Sequence, residues 1–327
     1  MYLLNLNKKN IALSIAEAVR LLKPRKYHLI DDFLIMEGLS FFKEIRLKRS
    51  SFGFVKSINR VITISRSLDD VKIALSKVDF RKHYKKDFKV ECSGFGKDNL
   101  EKTKLFALLI TRNLKNRGVN PIVNVKKPNT LFSIIQGKTK YFVTQTIWQN
   151  QDNAKERENK ELPEKMPTTL SPKLAKAMIN LSGLGKGKLI DPFCGAGGIL
   201  IEAARLGFRI TGYDIDKRAI GKAKLNLLHL GINKVHLELK DALTIDKKYD
   251  AIITDLPFGK NSKISIELEK LYKQFFDIAL KHSKRIIVGM PSTTSKSVIN
   301  KKWKIVDFFE LYIHKSMSKV IYVLERK

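Results

Sequence analysis

Apolar residues in the first half of the chain recur at two spacings. Ile11, Ile15, Ala18, Val19 and Leu22 share a helical face and Pro24 closes the run, so a helix is predicted over 11–22. Phe33, Leu34, Ile35 and Met36 read as a short strand, and residues 60–64 as another. A helix over 69–76 follows a Ser67 cap, and residues 88–92 read as a strand. Residues 102–115 put Leu105, Phe106, Leu108, Leu109 and Leu114 on an apolar helical face that stops at Gly118. Three strand candidates follow, at 122–125, 130–136 and 140–146.

The run Gln149 to Glu161 breaks the pattern, since its 13 residues hold one Ala and no larger apolar side chain. It is expected to be an exposed linker or a polar helix, ended by Pro163 and Pro167. Beyond it strands and helices alternate. Strands are predicted at 188–191, 209–214, 235–239, 249–254 and 285–289, with helices at 198–206, 217–230 and 266–282. That succession implies an open, mostly parallel sheet covered by helices on both faces. Two β-rich runs, 303–313 and 319–325, have no helix between them and are expected to form a terminal antiparallel hairpin.

Composition adds a partner. The 327 residues include 63 Lys+Arg against 32 Asp+Glu, a net charge of +31. Residues 1–150 hold 30 basic and 12 acidic side chains, and the remainder 33 and 20, so the excess runs along the whole chain. A polyanion is the expected partner. The 43% hydrophobic content excludes general disorder, and no stretch reaches the length of a membrane span. The N-terminus lacks the features of a signal peptide, and Cys92 and Cys194 match neither a disulfide framework nor a zinc spacing. A cytoplasmic protein with no assigned metal is expected.

Candidate chemistry sits at the ends of the predicted parallel strands. The stretch Asp191-Pro192-Phe193-Cys194-Gly195-Ala196-Gly197-Gly198 is a strand end, a small-residue loop and a helix start. Glycines there let a ligand approach the backbone, and the helix N-terminus offers free N–H groups. The loop is neither G-x-G-x-x-G nor a phosphate-binding G-x-x-x-x-G-K-[ST], which weakens NAD and ATP as ligands. Asp214 ends the next strand, placed to accept from two ribose hydroxyls, while Asp216 falls where a helix cap is needed. Asp241 follows the third strand, where it could accept from an adenine amine. Asp255-Leu256-Pro257-Phe258 ends the fourth. It resembles the [DNS]-P-P-[YFW] signature of methyltransferases acting on amino groups. An amine conjugated to a purine is a poor nucleophile; a carboxylate can accept its hydrogen and draw off charge as nitrogen becomes tetrahedral. The carbonyl of Leu256 or Pro257 could take the other N–H, and Phe258 offers a face to a flipped base.

With these motifs the chain resembles the THUMP-domain tRNA guanine N2-methyltransferase family. The resemblance implies an α/β class I (Rossmann-like) methyltransferase domain at 167–327. Before it would lie a ferredoxin-like segment (1–50), an α+β THUMP RNA-binding domain (51–148) and a linker (149–166). The segment Pro167-Thr168-Thr169-Leu170-Ser171-Pro172 is similar to the family motif over the methionine end of S-adenosyl-L-methionine. The implied cofactor residues are Thr168, Thr169, Asp191, Phe193, Gly195, Ala196, Gly197, Asp214, Ile215, Asp241, Ala242 and Asp255. Asp191 would lie near the methionine amine, and Asp255 to Phe258 would hold the guanine. His314-Lys315-Ser316-Met317-Ser318-Lys319 is similar to a segment of the enzymes acting at tRNA position 10, with position 6 as the alternative. Leu256 and Phe258 depart from the D-P-P-Y of typical position-10 enzymes, and D-L-P-F also occurs in the position-6 relatives.

The implied partner is tRNA, bound by a monomer, although eukaryotic relatives use a partner subunit. Candidate RNA contacts are Arg46, Lys48, Arg49, Lys56 and Arg60, interleaved with Phe52 and Phe54. A second cluster is Arg81, Lys82, Lys85 and Lys86 around Tyr84, and His314 and Lys315 add a third. Cys194 reads as a packing residue rather than a nucleophile, and Trp148 and Trp303 as core. A non-catalytic RNA-binding protein with a vestigial cofactor fold, and a protein-amide methyltransferase, are the readings from other classes.

Overall fold

The structure, a computed structural model, describes residues 1–39, 52–158, 160–167, 169–258, 266–314 and 317–327, with side chains at 313, 314 and 317 left aside. The chain divides into two compact units. The first holds β1 (Tyr2–Leu6), with α1 (Ile11–Leu22) leaving it for the second unit. It continues through β2 (Lys26–Ile30), β3 (Phe33–Glu37), β4 (Val55–Ser65) and α2 (Leu68–Lys77). Then come β5 (Phe88–Ser93), α3 (Asn99–Lys115), β6 (Thr130–Gln136) and β7 (Tyr141–Gln149).

Its seven strands are ordered β2-β3-β1-β4-β7-β6-β5, antiparallel except for the β5–β6 pair. Ser67 and Asp70 close a reciprocal capping box on α2, the strongest local reason for its start. Phe80, Phe88, Phe106, Ile110 and Phe132 are fully buried in the core that α2 and α3 share with the sheet. Residues 122–125, expected as a strand, make only a single bridge, Val123 to Phe88. Asp87 accepts from Asn124 and Asn129 and shapes that segment into a loop, so Ile122, Val123 and Val125 stay exposed.

The second unit carries the parallel sheet. It comprises α4 (Pro172–Leu181), β8 (Lys188–Asp191), α5 (Gly198–Leu206), β9 (Arg209–Asp214), α6 (Lys217–His229) and β10 (Val235–Leu239). After these come β11 (Ala251–Asp255), α7 (Ile266–His282), β12 (Arg285–Pro291), β13 (Trp303–His314) and β14 (Met317–Arg326). The order is β10-β9-β8-β11-β12-β14-β13, parallel through β12 with an antiparallel β13–β14 hairpin at the edge. Alternate residues feed two cores. Leu189, Ile253, Ile287 and Val323 enter one, and Ile190, Ile252, Ile286 and Leu324 the other.

Residues 10–21 and 52–54 belong to this unit as well. The face of α1 that is buried differs from the expected one, because Ser14 and Glu17 join Leu13 and Ala18 inside while Ile11, Ile15 and Val19 are half-exposed. Glu17 accounts for the rotation. Its carboxylate accepts from the backbone N–H of Gly53 (2.7 Å) and Phe54 (2.8 Å) and from Asn180 Nδ2 (2.7 Å). The polar run expected to be an exposed linker is partly internal, with Ala154 and Arg157 buried. Among the described residues no helix is long and apolar enough to cross a membrane.

Candidate active site

Because β8, β9, β10 and β11 run parallel, their carboxyl ends share one edge, and the motif residues gather there. Asp191 closes β8, Asp214 closes β9, Asp241 follows β10 by two residues, and Asp255 closes β11. The loop after β8 is tied down by them. Asp214 accepts from Gly195 N (2.8 Å) and Asp216 N (3.0 Å), while Asp191 accepts from Phe193 N (3.2 Å) and Thr254 Oγ1 (2.6 Å). Gly195 and Gly197 adopt φ of +52° and +89°, the left-handed region that favours glycine. Gly197 caps α5 without a side-chain hydrogen bond, so the first N–H groups of that helix carry no side-chain cap.

Asp191 is buried, and burial pushes its carboxyl up to about 7. The charges of Asp214 and Asp255 add to the rise, and the Thr254 and Phe193 hydrogen bonds oppose it. Phe193 packs edge-on against Phe275, Ala196 and Ala242 are buried, and Ile215 is 75% exposed. Asp241 accepts from Leu243 N (2.8 Å), and Asp216 caps α6 through Arg218 N (2.8 Å).

These residues fit a nucleotide-like cofactor with a methionine end. Thr169 Oγ1 is buried with no hydrogen-bond partner among the described residues, and its methyl packs above Gly198 at the start of α5. Over Gly195 the only atom of the described residues that a Cβ would meet within 4 Å is the Met166 sulfur, at 3.9 Å, which leaves the loop approachable from their side. Thr168 lies outside the described residues.

Asp255, Leu256, Pro257 and Phe258 divide into buried and presented groups. Leu256 is core, its N–H donating to Gly289 O. Pro257 is exposed and Phe258 half-buried. The Pro257 carbonyl accepts from Tyr272 Oη at 2.5 Å. Asp255 Oδ2 accepts from Lys319 Nζ at 2.6 Å, and Lys319 also lies over the Phe258 ring. Tyr272, Thr254, Gly289 and Lys319 were not found as site residues from sequence. Of these, only Lys319 carries a signal in the sequence, as the last position of the His314–Lys319 segment and a cation entering an apolar strand.

The RNA candidates are scattered. Lys56 and Arg60 are exposed on β4, and Lys82, Lys85 and Lys86 are exposed around the end of a short turn. Arg81 is held by both oxygens of Asp79. Phe52 and Phe54 are buried and cannot stack on bases, which corrects their reading as interleaved aromatics. Tyr84 donates to Lys86 O and packs on Phe88. Arg46, Lys48, Arg49, Lys315 and the His314 side chain lie outside what is described. Cys194 is buried, and burial pushes its thiol far up, which suits packing rather than attack.

Two family models match the chain. The RMKL-like methyltransferase domain covers residues 160–316, and the N6/N4 DNA methylase covers 15–225. Solved structures similar over the full length are TrmN from Thermus thermophilus (TM-score 0.54, 17% identity, covering 100% of this chain and 99% of that one) and SMU.472. The latter, a putative methyltransferase complexed with SAH, aligns at TM-score 0.55 and 14% identity over 100% and 98% of the two chains. With the sheet order and the strand-end carboxylates, these define a class I methyltransferase fold. The chain is 33% identical to the tRNA (guanine(10)-N2)-dimethyltransferase of Methanothermobacter thermautotrophicus over 90% of its own length and 91% of the relative's. The enzyme of that name from Pyrococcus abyssi is 28% identical over 63% and 64%. The protein therefore belongs to the tRNA (guanine(10)-N2)-dimethyltransferase family.

Proposed function

We propose that the protein transfers methyl groups from S-adenosyl-L-methionine to the exocyclic N2 of guanine at position 10 of tRNA. The carrying observation is a largely buried carboxylate, Asp255, its side chain 16% exposed, closing the fourth parallel strand beside a half-buried Phe258. The relatives' names support the position and a second methylation.

In this reading Asp191 takes the cofactor's ammonium, Thr169 its carboxylate, Asp214 the ribose and Asp241 the adenine amine. When bound, the cofactor supplies an electrophilic methyl group. Asp255 accepts a hydrogen bond from the guanine N2 and offsets the charge that develops on it. The carbonyl of Leu256 or Pro257 takes the second N–H, with Tyr272 fixing the latter's peptide. Phe258 provides the stacking surface for a base turned out of its helix. The first unit, a THUMP-like RNA-binding region, docks tRNA through exposed cations such as Lys56, Arg60, Lys82, Lys85 and Lys86.

The test incubates the protein with unmodified tRNA transcript and methyl-labelled cofactor, then maps the product by nucleoside mass spectrometry. N2-methyl and N2,N2-dimethylguanosine at position 10 are expected. Label at position 6 overturns the position, and no label on any guanine N2 overturns the function. Asp255→Ala should abolish transfer, by 100-fold or more on the order of an essential proton acceptor, while cofactor affinity stays within a few-fold.

A further inference from the structure

Lys319 stands apart from its own strand. Val320 to Leu324, which follow it on β14, are all buried, and Lys319 itself is only 5% exposed. An ammonium in that position needs an anion, because an unpaired buried charge is strongly unfavourable. Asp255 supplies it, at 2.6 Å from Oδ2, and the same nitrogen sits 4.8 Å from the centroid of the Phe258 ring. Asp255 Oδ1 is confined from the other side. It is buried with no partner among the described residues, and a Cβ on Gly289 of β12 would fall 2.1 Å from it. One lysine thus touches both the carboxylate and the aromatic ring of the Asp255-Leu256-Pro257-Phe258 motif.

We propose that Lys319 is a positioning residue of the transfer site, clamping the Asp255 carboxylate and the Phe258 ring so that the incoming amine meets a fixed anion. This rests on the role given to Asp255 above. The surroundings explain why a clamp is needed. Burial pushes the Asp255 carboxyl up, and Lys319 opposes that rise by charge and hydrogen bond. The other titratable groups coupled to it, Asp191 on β8 and Tyr272 on α7, bring no positive charge. Without the ammonium, the carboxyl would hold its proton to higher pH. A neutral acid is a weaker acceptor and offers no charge to a nitrogen becoming cationic. The pairing also fixes which way the carboxylate turns, since Gly289 leaves room on one side and Lys319 binds the other.

The test uses the full chain with Lys319→Met and Lys319→Arg. Carbon-13 shifts of labelled aspartate carboxyls, with Asp255→Asn supplying the assignment, should show Asp255 titrating at higher pH in Lys319→Met than in the wild type. In single turnovers on tRNA transcript, the acid limb of the rate profile should move up with it. Cofactor and tRNA affinities should stay within a few-fold, and Lys319→Arg should restore both titration and profile. If Lys319→Met does not fold, Lys319→Gln carries the same measurement. An unshifted carboxyl overturns the proposal, as does lost tRNA affinity with an unmoved acid limb, which would make Lys319 an RNA contact. If the wild type methylates no guanine N2 but the carboxyl still shifts, the proposed function fails while the clamp stands.

Discussion

A carboxyl that ionises near neutrality at the end of a strand makes ligand binding a proton-linked event. Asp191 is such a group, pushed up to about 7 by burial first and by the neighbouring carboxylates second. If it receives the cofactor's ammonium, only its ionised form binds well, so binding below about pH 7 must release a proton. Affinity should rise with pH up to about 7 and then level off. Calorimetry in two buffers of different ionisation enthalpy would show the proton release directly, and an affinity flat across that range would remove Asp191 from the ammonium site. The same group sets a sign for stability. Its folded value lies above the unfolded 3.8, so the native state binds the extra proton, and stability contributed by that proton is lost as pH rises through about 7. Asp191→Asn should therefore raise the apoprotein's melting temperature at pH 8 relative to wild type while weakening cofactor binding. Thr254, whose hydroxyl donates to Asp191, shows how the preceding strand residue serves the site without any motif to announce it.

At the scale of elements, the polar run after β7 shows what a count of apolar residues overlooks. Arg157 donates to Glu202 on α5 (Nε–Oε1 2.5 Å) and to Asp152 (Nη2–Oδ1 2.8 Å), and Lys176 on α4 donates to Asp152 (2.6 Å). All four side chains are at least nine-tenths buried. Charges of opposite sign paired this closely can enter a core that a single one could not. Arg157→Ala leaves two carboxylates facing Lys176 alone and should cost roughly 3–5 kcal/mol, read as a lowered urea midpoint with an unchanged slope. An unchanged midpoint would mean that the network adds nothing. The parallel half was legible because its strands are short apolar runs separated by clear helices, and β8, β9, β10, α5 and α7 fall where periodicity puts them. β2 was invisible because four of its five residues are exposed, leaving no buried face to pattern. α4 was missed for the opposite reason, since it is buried on nearly every side and its Lys176 and Asn180 break any apolar stripe. In the site, carboxylates at strand ends could be read from the sequence, but Lys319, Gly289 and Tyr272 come from distant segments that only the fold brings to Asp255.

Across the whole molecule, the unit with the parallel sheet is assembled from three stretches of chain: 10–21, 50–54 and 152–327, with Phe52, Gly53 and Phe54 the described part of the second. The short stretches are structural members of it. Leu13 and Phe54 lie in the same core cluster as Ala177, Met178 and Leu181 of α4. Glu17 binds the backbone at 53 and 54 together with Asn180, and a Cβ on Gly53 would fall 2.2 Å from the Lys173 carbonyl, so this segment lies against α4 with no space to spare. A fragment starting at Asp152 would keep every proposed cofactor and guanine residue yet lose this cover. It should expose the apolar side of α4, bind a hydrophobic dye and unfold at lower urea than the full chain. Glu17→Ala in the full chain isolates one part of the effect. It leaves Asn180 and two buried N–H groups without that acceptor, at about 1–3 kcal/mol for each unsatisfied group, while the apolar cover remains. If the fragment matched the full chain in midpoint and dye binding, α1 and residues 52–54 would be passengers rather than core. The expected outcome makes the parallel-sheet unit depend on segments encoded within the first 54 residues, so a cut at 151/152 costs it stability.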